Sequence, residues 1–295
     1  MSTARVWRNW AGTASCAPQA IHRPADAAGV ATIVAAAARR GERVKVAGSG
    51  HSFTGAACTD GHVIRLSEMK RVVSVDRDAR RVTVQAGIRI DELAAALAEH
   101  GLALPSLGDI GYQTVAGAIA TGTHGAGLRY AGIAAQVRAL EMVLADGSTL
   151  SCSAESQPEV FHAARVGLGA LGAVVTVTME CEDAFTLHAL EEPVRLPELL
   201  ERFDDIASSQ EHAEFFWFPH TDRALLKRNN RTDQPPRPPG RARAWFNDVF
   251  LANRVFDLAC RAGRAQPAWI PGIARIAGRA LSRREYSDRS DRVFT

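Results

Sequence analysis

Three glycine-rich segments do most to limit what this chain can become. They are Gly48-Ser49-Gly50-His51-Ser52-Phe53, the run 107–127, and Gly167-Leu168-Gly169-Ala170-Leu171-Gly172. Glycine at such density marks places where the backbone turns sharply or passes close to something. In the first segment two glycines flank a serine, so successive N–H groups can turn toward one point. A concave array of that kind suits phosphate oxygens. The third glycine of the dinucleotide fingerprint would fall at Phe53, and no amphipathic helix follows, which argues against NAD. Taken alone, the loop also reads as a plain turn.

The run 107–127 is rich in small residues and holds one acidic residue, Asp109, and no Lys or Arg. Thr114 can cap a short helix over 115–120. The N-terminus of such a helix is expected to offer free N–H groups to a pyrophosphate. Its small side chains would admit a bulky planar ligand; a tightly packed core helix is the alternative. The third segment leads into the β-branched run 173–181, which reads as a buried strand.

The rest of the sequence bounds the architecture. The chain has 295 residues, enough for two domains. With 46% apolar and 23% charged residues it reads as soluble and globular, which excludes disordered and collagen-like chains. No apolar run approaches the roughly 18–20 residues of a membrane span. Met1-Ser2-Thr3-Ala4-Arg5-Val6-Trp7 has no apolar h-region, so no secretory signal is expected. Cys16, Cys58, Cys152, Cys181 and Cys260 form no CxxC pair, which fits a reducing cytosol and argues against a disulfide framework. The nine histidines form no HxH or HxxxH pair, so no metal site is expected. No GxSxG occurs, and Ser52 beside His51 is adjacency, not a nucleophile–base pair.

Charge is uneven along the chain. Residues 223–295 hold 16 Lys+Arg and 6 Asp+Glu, a balance of +10; residues 1–222 hold 19 and 26, a balance of −7. A cationic stretch can meet nucleic acid, an anionic membrane surface or an acidic partner. Aromatic residues do not alternate with the arginines as base stacking requires. The plainer reading is a solvated face, or one whose partner lies elsewhere in the fold.

Periodicity predicts a helix over 27–40 with Asp26 as cap and Gly41 as stop, and strands over 43–47 and 63–66. It predicts hairpins over 72–76 with 81–86 and over 137–144 with 149–152, and helices over 90–97 and 159–166. After about Phe185 the texture changes. A helix is expected over 196–208, an aromatic strand over 214–218, a surface loop over 234–240 and helix to about 281. The boundary falls near 184–190.

Together the three segments resemble the FAD-binding domain of the vanillyl-alcohol-oxidase-type flavoproteins, and more narrowly the aldonolactone and alditol oxidases. The most specific match is Gly48-Ser49-Gly50-His51-Ser52-Phe53 with Ala57-Cys58-Thr59-Asp60-Gly61. Thr114-Val115-Ala116-Gly117, Thr121-Gly122-Thr123-His124-Gly125 and Gly167-Leu168-Gly169-Ala170-Leu171-Gly172 follow at the family's spacing. Glu214-Phe215-Phe216-Trp217-Phe218-Pro219 resembles the opening of the family's substrate (cap) domain. The likeness runs along the whole chain and is greatest to bacterial gulono-1,4-lactone dehydrogenases.

The resemblance implies an α+β fold: a two-subdomain FAD-binding domain over 1–185, then an incomplete α+β cap over 186–295. It implies that His51 bonds covalently to the flavin 8α-methyl. Backbone groups of Ala47, Gly48, Ser49, Gly50, His51, Ser52 and Phe53 would hold the pyrophosphate. Asp109, Thr114, Gly117, Thr121, Thr123 and His124 match cofactor-contact positions, although His124 also fits a packed core histidine. Val174 matches a position at the adenine end. Gly108 matches the position beside the flavin that influences oxygen access, and by itself does not decide the electron acceptor.

The implied reaction oxidises a CH–OH group of a sugar lactone or polyol, with hydride passing to flavin N5. Dioxygen or a dye- or cytochrome-type molecule would be the acceptor. The implied setting is cytoplasmic, without nucleic acid, and with peripheral membrane contact left open. Family members are longer, and later supply a glutamate–arginine strand and a His-Trp-Gly-Lys segment. This chain contains neither and ends at Asp291-Arg292-Val293-Phe294-Thr295, read as entering a strand. The expectation is a truncated enzyme whose catalytic residues lie in the absent segment; the alternative is a non-catalytic flavin-binding remnant.

Overall fold

The computed structural model describes residues 6–240 and 245–295. Residues 1–5, on which the no-leader expectation partly rests, and residues 241–244, inside the stretch expected to be helical, lie outside them. Two compact units divide the chain. The first runs to Gly125, resumes over Ala131–Ala184 and takes in Phe294–Thr295; the second holds Ala126–Tyr130 and Phe185–Val293.

The first unit opens with β1 (Trp7–Arg8), β2 (Ser15–Cys16), β3 (Ala20–His22), α1 (Ala27–Arg39), β4 (Val44–Ala47) and β5 (His62–Arg65). It continues with β6 (Val72–Asp76), β7 (Arg81–Gln85), α2 (Ile90–Glu99), β8 (Leu102–Ala103) and α3 (Val115–Ala120). It closes with β9 (Val137–Val143), β10 (Thr149–Ser153), α4 (Pro158–Arg165), β11 (Ala173–Glu180) and β12 (Glu182–Asp183). Two sheets dominate: a parallel one in the order β3-β5-β4, and an antiparallel one in the order β10-β9-β11-β7-β6.

Local chemistry explains these elements. Asp26 Oδ1 accepts from Gly29 N at 2.8 Å and starts α1, whose Val30, Val34 and Ala37 form one buried face. Gly41, at φ +65°, ends it. Strand β11 departs from the expected pattern. Ala173, Val175, Val177 and Met179 are buried, while the residues between them, Val174 included, are half-buried. An antiparallel sheet packs its two faces differently, so an unbroken β-branched run still acquires two unequal sides.

The second unit contains β13 (Thr186–Arg195), α5 (Leu196–Ser209), β14 (His212–Trp217) and β15 (Arg223–Thr232). A π-helical stretch, Trp245–Val255, leads to α6 (Phe256–Ala265), α7 (Ile270–Ala280), β16 (Arg284–Arg289) and α8 (Ser290–Phe294). The expected C-terminal strand is therefore corrected: the strand comes earlier, and Ser290–Phe294 is helical. Ser and Asp in a first turn favour that start.

The sheet is antiparallel, in the order β14-β15-β13-β16. On one face Val194, Phe215, Ala224 and Leu226 pack with Leu199, Phe203 and Ile206 of α5. The opposite face carries a line of alternating charge across all four strands. Glu214 stands opposite Lys227, Lys227 opposite Glu191, and Glu191 opposite Arg284. Lys227 reaches Glu214 at 3.1 Å and Arg284 reaches Glu191 at 3.6 Å. Glu192 pairs with Arg228 and Glu211 with Arg231. Four cations of the basic stretch thus meet acids from earlier in the chain, and part of the charge asymmetry along the sequence closes in space. Pro193 is tolerated because β16 ends opposite Glu191, leaving β13 an edge there.

Candidate functional site

The end of β4 and the loop after it border a cavity of about 490 Å³ in the first unit. Its lining takes in Ala47, Gly48, Ser49, Gly50, His51 and Ser52 of that loop. Thr114, Gly117 and Thr121 line it from α3 and its flanks, and Val174 from β11. The segment 167–172 completes the wall. Three glycine-rich stretches far apart in sequence meet around one space.

The loop is shaped for close approach. A Cβ on Gly48 would stand 2.3 Å from Thr114 Oγ1, so the chain crosses directly over the start of α3. Gly50 has φ +79°, a conformation that favours glycine. Ser49 Oγ donates to the Tyr112 carbonyl at 2.6 Å and ties the loop sideways. The carbonyls of Gly50, Ser52 and Phe53 all accept hydrogen bonds from residues near the N-terminus. Among the described residues, nothing accepts from the backbone N–H groups of Ser49, Gly50, His51 or Ser52. A run of free amides with anchored carbonyls is the arrangement that holds phosphate oxygens.

His51 is half-buried, and its Nδ1 is buried without a hydrogen-bond partner. Burial pushes its pKa below the ordinary 6.5, so the imidazole is neutral at neutral pH. A neutral ring with an available nitrogen can act as a nucleophile.

Helix α3 corrects one expectation. Thr114 caps it as expected, with Gly117 N donating to Thr114 Oγ1 at 3.2 Å. Its N-terminal amides are not free, however. Val115 N donates to Ile88 O at 2.8 Å and Ala116 N to Ala86 O at 2.9 Å. The turn after β7 reaches these groups first, so the free donors belong to the 49–52 loop rather than to the helix.

Phe53, Gly108, Asp109, Thr123 and His124 stand outside the cavity lining. Phe53 is 67% exposed, with its ring 6.5 Å from that of Trp10. Gly108 packs on the His124 backbone and the Thr123 side chain: a Cβ there would meet His124 O at 3.0 Å and Thr123 Cγ2 at 3.3 Å. Asp109 is exposed. His124 is exposed too, with Nδ1 3.0 Å from Gly125 O, so it is not a packed core histidine. Gln113, absent from the sequence expectations, joins the two groups: it lines the cavity and donates to Thr123 Oγ1 at 3.2 Å. Sequence reasoning also missed Trp7, Asn9, Trp10 and Thr13. Their signal was two tryptophans bracketing an asparagine within the first ten residues.

Comparison with known proteins places this geometry. Residues 18–153 match the FAD binding domain family, and residues 177–295 match the D-arabinono-1,4-lactone oxidase family. The chain is 39% identical over 289 residues to an L-gulono-1,4-lactone dehydrogenase of Mycobacterium tuberculosis, covering 98% of this chain and 67% of that protein. The chain belongs to the FAD-linked aldonolactone oxidase and dehydrogenase family.

Another member, the L-gulonolactone oxidase of Mus musculus, is 36% identical over 98% of this chain and 66% of its own length. A Neurospora crassa protein named putative D-arabinono-1,4-lactone oxidase is 39% identical over 92% of this chain and 49% of its length. The chain therefore spans about two thirds or less of the length of these relatives. Its α+β fold is shared with the cholesterol oxidase of B. sterolicum. That match has a TM-score of 0.81 at 17% identity, over 97% of this chain and 60% of the other. Among the described residues, no helix is long and apolar enough to cross a membrane.

Proposed function

We propose that this chain binds FAD in the cavity of the first unit and bonds it covalently through His51. As part of a full-length enzyme it would oxidise a CH–OH group of a sugar lactone or polyol. The observation that carries the reading is the pairing of a free-amide loop with a buried, unpartnered His51 Nδ1 in one cavity wall. When bound, FAD supplies the hydride acceptor.

The chain's own residues do the rest. The amides of Ser49, Gly50, His51 and Ser52 neutralise the pyrophosphate, and Ala47 and Gly48 bring them to it. Thr114, Gly117 and Thr121 form a wall of small groups that excludes water from a flat ligand. Val174 takes the adenine end. Gly108, Asp109, Thr123 and His124 form a second contact group beyond Gln113. On this reading residues 1–185 are the flavin-binding domain and 186–295 belong to the substrate domain. Dioxygen or a dye- or cytochrome-type molecule accepts the electrons.

An absorbance spectrum of the purified chain, repeated on the acid-precipitated pellet, tests the reading. Flavin bands should stay with the pellet in the wild type and pass to the supernatant in His51→Ala. Flavin released from both proteins would remove the covalent role of His51. A folded chain with no flavin would reduce it to a remnant.

A further inference from the structure

The N-terminal hairpin grips the His51 loop from behind. β1 and β2 pair Trp7 with Cys16 and Arg8 with Ser15. From the turn between them, Trp10 N donates to Gly50 O at 2.8 Å and Asn9 Nδ2 to Ser52 O at 2.9 Å. Thr13 Oγ1 donates to Phe53 O at 2.7 Å. Asn9 is 3% exposed and its amide is fully engaged: Nδ2 also donates to Thr13 Oγ1 at 2.9 Å, and Oδ1 accepts from Ala14 N at 3.0 Å. The Trp10 ring lies 5.4 Å from the His51 ring at a tilt of 32°. That indole is 67% exposed, so it adds little to any core. A loop with two glycines has wide conformational freedom. Three anchored carbonyls remove much of that freedom, while the amides of 49–52 keep no acceptor among the described residues.

We propose that this hairpin is a positioning device for flavin attachment. Asn9 and Thr13 fix the loop backbone, and Trp10 holds the His51 imidazole at its reacting angle. The inference rests on the covalent role proposed for His51. In that reaction an imidazole nitrogen forms a bond to the flavin 8-methyl carbon. The carbon and the ring nitrogen each give up a proton, and the two electrons left on the flavin pass to dioxygen, giving hydrogen peroxide. Trp10 touches none of the atoms that change bonds, so it is a positioning residue.

The test follows acid-stable flavin with time after FAD is added to apo-chain, over a range of FAD concentrations. Trp10→Ala should lower the saturating attachment rate by about tenfold to a hundredfold, the range for a small loss of alignment. The half-saturating FAD concentration and the thermal midpoint should stay within twofold and a few degrees of wild type. Trp10→Phe, which keeps an aromatic face against His51, should recover most of the rate. Attachment at the wild-type rate in Trp10→Ala overturns the inference, as does a rate loss matched by lost FAD affinity or left unrescued by Trp10→Phe. No acid-stable flavin in the wild type overturns the role of His51 itself, and the hairpin inference falls with it.

Discussion

Replacing Gly48 with alanine probes the candidate site at its tightest crossing. The added Cβ would stand 2.3 Å from Thr114 Oγ1, 3.6 Å from Thr114 Cβ and 3.7 Å from the Gly117 Cα. Only the hydroxyl lies inside ordinary contact distance, so the clash is with the one atom that caps α3. Rotating that hydroxyl away gives up its bond to Gly117 N, 3.2 Å long. A lost N-cap costs about 1 kcal/mol. Crowding in a site where Thr114 is buried adds about 1–3 kcal/mol. The lower unfolded-state entropy of alanine offsets up to about 1 kcal/mol. The net expectation for Gly48→Ala is a loss of about 1–4 kcal/mol, combining these terms. Thr114→Ala alone loses the cap, about 1 kcal/mol. The double variant carries no clashing hydroxyl, so it should be more stable than Gly48→Ala alone, with a coupling of about 3 kcal/mol. Urea unfolding of the four proteins without FAD, followed by circular dichroism, measures the cycle. Additive losses, or a Gly48→Ala midpoint equal to wild type, would refute the close crossing of loop and helix.

Two further outcomes are expected. His212 stacks on Tyr130 at 4.4 Å, with Nδ1 2.8 Å from Ala126 O, and burial holds its pKa below 6.5. Its unfolded form then takes up a proton first, so stability is full above about pH 6.5 and declines as pH falls toward the lower folded value, by at most about 1.4 kcal/mol per pH unit. Urea midpoints from pH 7.5 to 5.5 should show this, with a flatter profile in His212→Gln; an equal profile in the variant would count against it. Cys260 is exposed, Cys16 and Cys58 are half-buried, and Cys152 and Cys181 are buried, with burial pushing the Cys181 thiol up to about 12. A thiol-disulfide reagent near pH 8 should therefore react fastest at Cys260, a phase lost in Cys260→Ser; an unchanged fastest phase in this variant would contradict the burial pattern.

Elements with local signals are legible in the sequence alone. Asp26, Gly41 and Thr114 mark their helix ends where the sequence places them, because caps act over three or four residues. The glycine-rich segments announce the cavity for the same reason. Strands β13 and β15 are not legible. Their cross-strand faces carry Glu191, Glu192, Lys227 and Arg228, which read as solvated charge until the partner strand is known. The free amides are assigned to the wrong element by sequence reasoning, because nothing local shows that Ile88 and Ala86 reach the start of α3. The grip of Asn9, Trp10 and Thr13 on a loop some 40 residues away is likewise a non-local fact.

The charged line across the second sheet also bears on how that sheet is assembled. Arg228 and Glu192, within the β13–β15 pair, are 36 residues apart, whereas His188 and Glu285, joining β13 to β16, are 97 apart. Closing the longer loop costs about 0.9 kcal/mol more. On a chain emerging from the ribosome, β13 and β15 can pair while β16 has yet to be made. Until then β13 is an open edge, and open edges recruit stray strands. A stray strand docking there would have to cover the Glu191 carboxylate without the guanidinium of Arg284. Lys227 still faces Glu191 from β15, but a stray strand brings the carboxylate no second cation. The glutamate that meets Arg284 in the finished sheet thus sets a charge on the open edge of the unfinished one, a feature that discourages edge-to-edge pairing.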